Sequence, residues 1–137
     1  VNHAVRETQQ MDIRIDSDVV RVRQVVRECA QRVKLSLVDQ TKLVTAASEL
    51  ARNTLLHGGG GHATIELVHD GRRSGVKATF RDEGPGIPDI ALALVDGWTS
   101  GSGLGLGLSG SRRLVDEFDL ASQPGKGTNV TVVKWAR

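Results

Sequence analysis

Tyrosine is absent from this chain, and aromatic residues make up only 3% of it. That is too few for a row of base-stacking platforms, which argues against single-stranded nucleic-acid binding of the stacking kind. Cysteine occurs once, at Cys29, so an internal disulfide is impossible and a reducing compartment is expected. No apolar run approaches the roughly 18 residues of a membrane span, and the first residues hold no signal-peptide core. The expectation is a cytoplasmic protein with no membrane contact. A dominant charge sign is lacking too. Eighteen Lys and Arg stand against sixteen Asp and Glu, interspersed, for a net charge of +2. The pI near 9.0 reflects this small excess and is no nucleic-acid footprint.

What is present is ordinary for a globular domain. The 137 residues, 39% apolar and 25% charged, suffice for one domain with a buried core. Val1 to Gln10 is polar without periodicity, so residues 1–10 are expected as a flexible arm and residues 11–137 as the domain. Met11 to Asp16 alternates like an edge strand. Ser17 or Asp18 is then placed to cap a helix burying Val19, Val22, Val26, Cys29 and Val33. Cys29 lies within that stripe and reads as core rather than nucleophile. Arg23 and Arg27, one turn apart on the outer side, form either a solvated face or a partner-binding one.

Ser36 is placed to cap a long helix from about Leu37 to His57, stopped by the glycines at 58–61. Leu43, Ala47, Leu50 and Thr54 recur on its core stripe. Glu49, Asn53 and His57 recur at four-residue steps on a neighbouring stripe, so their side chains stack along one edge. A carboxylate and a carboxamide one turn apart can hold a hard cation and orient an attacking hydroxyl in the same place. Taken alone, the pattern reads equally as a solvated helix edge. His57 and His62 flank the glycine loop but lack the third ligand a zinc site needs.

Ala63 to His69 alternates as a strand, and residues 70–75 read as a hairpin connection. In the next strand Val76, Ala78, Phe80 and Asp82 point to one side, so a carboxylate ends a buried apolar row. Such a group needs a donor. It either caps Gly84 or Gly86, or takes a donor from a ligand, such as an exocyclic amine. The two glycines would admit a flat ligand against the backbone.

Gly101, Gly103, Gly105 and Gly107 alternate ahead of a helix expected to run to Phe118, burying Leu114, Val115 and Phe118. Backbone N–H groups in such a run face an anion, and the helix dipole assists. With Leu104, Leu106 and Leu108 between them, the glycines read as a phosphate-covering lid rather than a linker. The segment also contains a formal Gly-x-Gly-x-x-Gly from Gly105 to Gly110, but a loop rather than a strand precedes it. No Walker A sequence occurs. Leu120 to Ser122 begins a strand, residues 124–127 turn it, and Thr128 to Trp135 returns with Thr128, Val130 and Val132 on one face. Thr128 by itself reads as structural.

Together these segments resemble the ATP-binding fold shared by DNA gyrase, the heat-shock chaperone of ninety kilodaltons, histidine kinases and the mismatch-repair protein MutL, known as the GHKL or Bergerat superfamily. Glu49-Leu-x-x-Asn53 is similar to its N box, Asp82-x-Gly84-x-Gly86 to its first glycine box, Gly101 to Gly107 to its second, and Gly127-Thr128 to its terminal Gly-Thr. The fold this implies is α+β, a two-layer sandwich of a mixed sheet with helices on one face. The chain leaves no room for transducer domains, and none of its four histidines fits a phosphoacceptor on a dimerising hairpin. The start at Met11 and the Trp-Ala-Arg ending lead us to expect a self-contained unit rather than the ATPase module of a larger sensor kinase. Glu49 to Asn53, Asp82 to Ile90 and the ending Lys134-Trp135-Ala136-Arg137 resemble the anti-sigma-factor serine kinases, and among them the switch kinases of the RsbT type. The glycine lid is more regular than theirs and nearer that of histidine kinases.

The resemblance implies ATP and Mg²⁺ as cofactors. It implies that Asn53 ligates Mg²⁺, that Asp82 accepts from the adenine amino group with Thr128, and that Gly84 and Gly86 let adenine lie on backbone. It implies phosphate contacts from Gly101, Gly103, Leu104, Gly105, Leu106 and Gly107, and Glu49 as general base on a substrate hydroxyl. Arg112 and Arg113 are candidates for phosphate or partner. The implied substrate is a serine on a STAS-domain antagonist in a bacterial stress pathway, with a downstream phosphatase engaged afterwards. The alternative is an ATP-binding anti-sigma factor that sequesters a sigma factor.

Overall fold

Apolar residues at two-residue spacing in five stretches, and at three- and four-residue spacing in two, build the architecture. A computed structural model describes residues 4–86 and 107–137. The elements run β1 (Ala4–Ile13), α1 (Asp16–Arg32), α2 (Leu37–Leu56), β2 (Gly61–His69), β3 (Ser74–Asp82), α3 (Gly107–Arg113), β4 (Glu117–Gln123) and β5 (Gly127–Trp135). The strands form one sheet in the order β1-β2-β3-β5-β4. Every pairing in it is antiparallel, where a mixed sheet was expected. The reason lies in the crossover. Two helices, not one, separate β1 from β2, so the chain returns running opposite to β1, whereas a single helix would make a parallel βαβ unit.

The inward residues of the sheet, among them Ile13, Ala63, Ile65, Val76, Ala78, Phe80, Val130 and Val132, pack with Val22, Val26, Cys29, Leu43, Ala47 and Leu50 of the helices. The α2 helix contacts both α1 and α3 and lies against the sheet. Cys29 is 2% exposed within this core, and burial raises its thiol pKa, as a packing role requires. Among the described residues no helix is long and apolar enough to cross a membrane.

Three local expectations are corrected. Residues 4–10, expected as part of an arm, are the first part of β1, paired with β2 from Ala4↔His69 through a bulge at Val5/Glu7 to Ile13↔Gly61. Their side chains are exposed, which is why the stretch lacks apolar alternation: a polar edge strand is set by its partner's backbone. Neither Ser17 nor Asp18 caps α1 from the front. Asp18 sits in the first turn and reaches back, its Oδ2 accepting from Arg14 N–H (2.8 Å) and Ile15 N–H (3.1 Å). The helix expected to reach Phe118 ends at Arg113, and Phe118 lies in β4 opposite Val132. Val115 and Phe118 still pack, partly buried, against the core, Phe118 from β4 rather than from a helix.

At the far end of the sheet Lys134 is buried between Asp39 of α2 (3.6 Å) and Asp116 (3.5 Å). On the opposite face Trp135 lies under the Arg73 guanidinium, 4.7 Å from the ring centroid, and its indole N–H donates to Glu117 at 2.6 Å.

Candidate functional site

Ser36 caps α2 as its sequence requires, accepting from Asp39 N–H at 3.1 Å. Twenty residues later the helix ends by rule. The Asn53 carbonyl accepts from His57 N–H and Gly58 N–H, and the Thr54 carbonyl from Gly60 N–H. Gly59 and Gly60 then take positive φ, 74° and 104°, a backbone state that side chains disfavour. This exit delivers Gly58 onto the end of β3. A Cβ on Gly84 would stand 2.7 Å from the Gly58 backbone, so the two glycines permit a direct backbone-to-backbone approach of α2 to the loop after Asp82.

Along α2, Glu49 and Asn53 follow back from that contact. Glu49 is only 9% exposed, which settles one open reading, because a buried carboxylate is no solvated edge. Asn53 and His57 are half-buried on the same stripe. By helix rise they lie about 13 Å (Glu49) and about 7 Å (Asn53) from Gly58 along the axis.

The sheet supplies the other wall. Ile13, Gly61, Asp82, Thr128 and Ser122 are direct partners across five strands, so their inward positions form one transverse row. Asp82 Oδ1 accepts from Gly84 N–H at 2.9 Å, and the Thr128 N–H also bonds the carboxylate. Burial raises the Asp82 pKa, and these two donors oppose that rise. The capping reading of Asp82 is therefore realised, and the carboxylate still sits in a half-buried position at the mouth between α2 and the sheet. The hydroxyl of Thr128 lies 2.9 Å from that of Ser122, which donates to the Gly127 carbonyl at 3.0 Å. Ser122 was not singled out in the sequence. Its position directly opposite Thr128 across a three-residue turn was the only signal that could have found it.

Gly86 and Gly127 both take positive φ, 78° and 89°, and a Cβ on either would strike backbone of the facing segment. They let the loop after β3 lie on the β4–β5 turn, where Gly125 N–H bonds the Pro85 carbonyl at 2.7 Å. Of the glycine lid, Gly107 opens α3 with φ 68°. Gly101, Gly103, Leu104, Gly105 and Leu106 lie outside the described residues. Arg112 and Arg113 are exposed in the last turn of α3. Among the described residues no three His, Cys, Asp or Glu side chains are grouped to hold a metal ion by themselves.

The arrangement offers an amide and a carboxylate on one wall and a half-buried carboxylate with a hydroxyl on the other. Residues 38–136 match the family described as histidine kinase-, DNA gyrase B-, and HSP90-like ATPase. The chain is 46% identical over 120 residues to the serine/threonine-protein kinase RsbT of Bacillus subtilis (strain 168), covering 88% of this chain and 90% of that one. It is 30% identical over 119 residues to the anti-sigma F factor of Thermoanaerobacter sp. (strain X514), covering 82% of each. A crystal structure of the RsbU and RsbW domains of a Mycobacterium tuberculosis protein superposes with a TM-score of 0.64 at 22% identity over 96% of this chain, which spans 33% of that one. This chain is a member of the histidine kinase-, DNA gyrase B- and HSP90-like ATPase family.

Proposed function

We propose that this chain is an ATP-dependent protein serine/threonine kinase of a bacterial partner-switching pathway, acting in the cytoplasm. One observation carries the reading: the buried Glu49 and its neighbour Asn53 lie on the same helix that docks, through Gly58, on the Asp82 loop. In this reading that contact keeps the base reader and the phosphate end at a set separation. The 46% identity to a serine/threonine-protein kinase supports it.

In this reading Asp82, helped by Thr128 directly or through a water, accepts from the adenine amino group. Gly84 and Gly86 let the ring lie on backbone. Gly101, Gly103, Leu104, Gly105, Leu106 and Gly107 cover the phosphates. Asn53 would hold Mg²⁺, whose preference for one or two protein oxygens plus water and phosphate fits a site with no cage of acids among the described residues. That ion supplies charge neutralisation across the phosphate oxygens when bound. Glu49 takes the proton from the substrate serine hydroxyl as its oxygen bonds the γ-phosphorus and ADP departs. The burial of Glu49 on α2 supports this role, because it narrows the positions its carboxylate can take.

The substrate we propose is a serine on a STAS-domain antagonist, with a downstream phosphatase engaged once the phosphorylated antagonist lets go. The test is affinity capture from a native extract with Mg-ATP, followed by phosphosite mapping of what is retained. Phosphoserine on a STAS-like protein is the expected result; a captured partner that stays unmodified overturns the kinase reading. The 30% identity to anti-sigma F factors favours one second reading, sequestration of a sigma factor in an ATP-dependent complex. A stable complex with a sigma factor in gel filtration would establish it.

A further inference from the structure

Thr128 and Ser122 carry a relationship that the ATP-binding motifs do not include. Their hydroxyl oxygens are 2.9 Å apart, and Ser122 Oγ lies 3.0 Å from the Gly127 carbonyl. A carbonyl can only accept, and a serine hydroxyl has one proton to give. Ser122 therefore spends its proton on Gly127 and must accept from Thr128. The Thr128 proton points along the row toward β4, which leaves only oxygen lone pairs on its other side, where Asp82 is the direct cross-strand partner.

We infer that Ser122 is a specificity-determining positioning residue: by fixing the Thr128 hydroxyl as an acceptor, it makes the pocket read an amino group at position 6 of a purine and reject a carbonyl there. This rests on the proposed nucleotide site. Adenine presents an exocyclic amine with two hydrogens, whereas a 6-oxopurine presents an acceptor oxygen. Beside the Asp82 carboxylate, a second obligate acceptor doubles the mismatch for the oxo base. Without Ser122 the Thr128 hydroxyl is free to turn and donate into the pocket, which would satisfy that oxygen. Buried polar groups left unpaired are what give a site its discrimination. Ser122 would act on the base only through Thr128.

The experiment is calorimetric titration of the full chain with Mg-ATP and Mg-ITP, which differ only at the purine 6-position and N1. Wild type is expected to prefer ATP. Ser122→Ala should narrow the ATP-to-ITP preference by roughly threefold to tenfold, the scale of one hydrogen bond. Ser122→Thr should restore it, and in a Thr128→Val background Ser122→Ala should leave the ratio unchanged. An equal loss of both nucleotides in Ser122→Ala, or an unchanged ratio, overturns the role of Ser122 while leaving the site intact. Failure of the wild-type chain to bind ATP at all overturns the nucleotide site, and this inference with it.

Discussion

The Asp82 carboxylate occupies the space that a side chain on Gly58 would need: a Cβ there would stand 2.3 Å from Asp82 Cγ and 2.6 Å from its Oδ2. The carboxylate is not the loose tip of a flexible chain, because the Gly84 and Thr128 N–H groups hold it. Gly58→Ala must therefore either push Asp82 off its donors or lift the end of α2. We expect a loss of about 1–3 kcal/mol in stability, typical of overpacking, with ATP affinity falling by at least about tenfold. Thermal unfolding and calorimetry measure the two. A fully folded Gly58→Ala protein with wild-type ATP affinity would disprove this coupling of the helix exit to the base reader.

Glu49→Gln separates catalysis from binding. The amide keeps the shape of the buried side chain and cannot take a proton. ATP affinity is expected to persist while phosphoryl transfer to the protein substrate drops by roughly 10²–10⁴. If ATP binding disappears together with transfer, Glu49 holds the pocket rather than the proton.

Acid should act on Asp82 with opposite signs on stability and on binding. Burial raises its folded pKa above the ordinary 3.8. The folded chain thus binds this proton more tightly than the unfolded chain, and falling pH through that window favours the unliganded fold. Base reading needs the ionised carboxylate, so ATP affinity should fall over the same window, at higher pH than an ordinary aspartate would titrate. Asp82→Asn should weaken ATP binding and flatten this pH dependence. Calorimetry at stepped pH on both proteins decides it: parallel pH profiles would exclude Asp82 as the titrating reader.

Residues whose neighbours lie close in sequence were legible before the fold was known. The Ser36 cap, the Glu49–Asn53–His57 stripe, the glycine stop and the inward Val76–Ala78–Phe80–Asp82 row are all local periodicities, and each stands where expected. What was illegible depends on partners far along the chain. The strand character of residues 4–10 comes from pairing with β2 across two helices. Phe118 looked helical because Leu114, Val115 and Phe118 keep a three- and four-residue spacing, yet its place is fixed by Val132 in the next strand. Asp82 was readable as a buried acid, whereas its contact with Gly58 arises from the α2 exit and leaves no periodic signal.

Lys134 is the same lesson in energetic form. It follows the inward positions Val130 and Val132 on β5, where an apolar residue belongs, and instead carries an ammonium buried to 5% exposure. Asp39 from the start of α2 and Asp116 from the turn before β4 meet it at 3.6 Å and 3.5 Å, and Asp116 also accepts from Trp135 N–H at 2.7 Å. The charge thus ties the helix start to the sheet edge. Lys134→Met keeps the apolar stem and removes only the ammonium, taking from the mostly buried Asp39 its cation while Asp116 keeps Arg137 and the Trp135 N–H. A loss of about 3 kcal/mol is expected, the lower end for breaking a buried pair because both acids retain some access to water. Adding Asp39→Asn should recover part of it by neutralising the carboxylate that lost its cation. ATP affinity should stay unchanged, since Lys134 lies six residues along β5 from Thr128, about 20 Å at strand rise. A Lys134→Met protein as stable as wild type would show that packing, and not the ion triad, anchors α2 at this end.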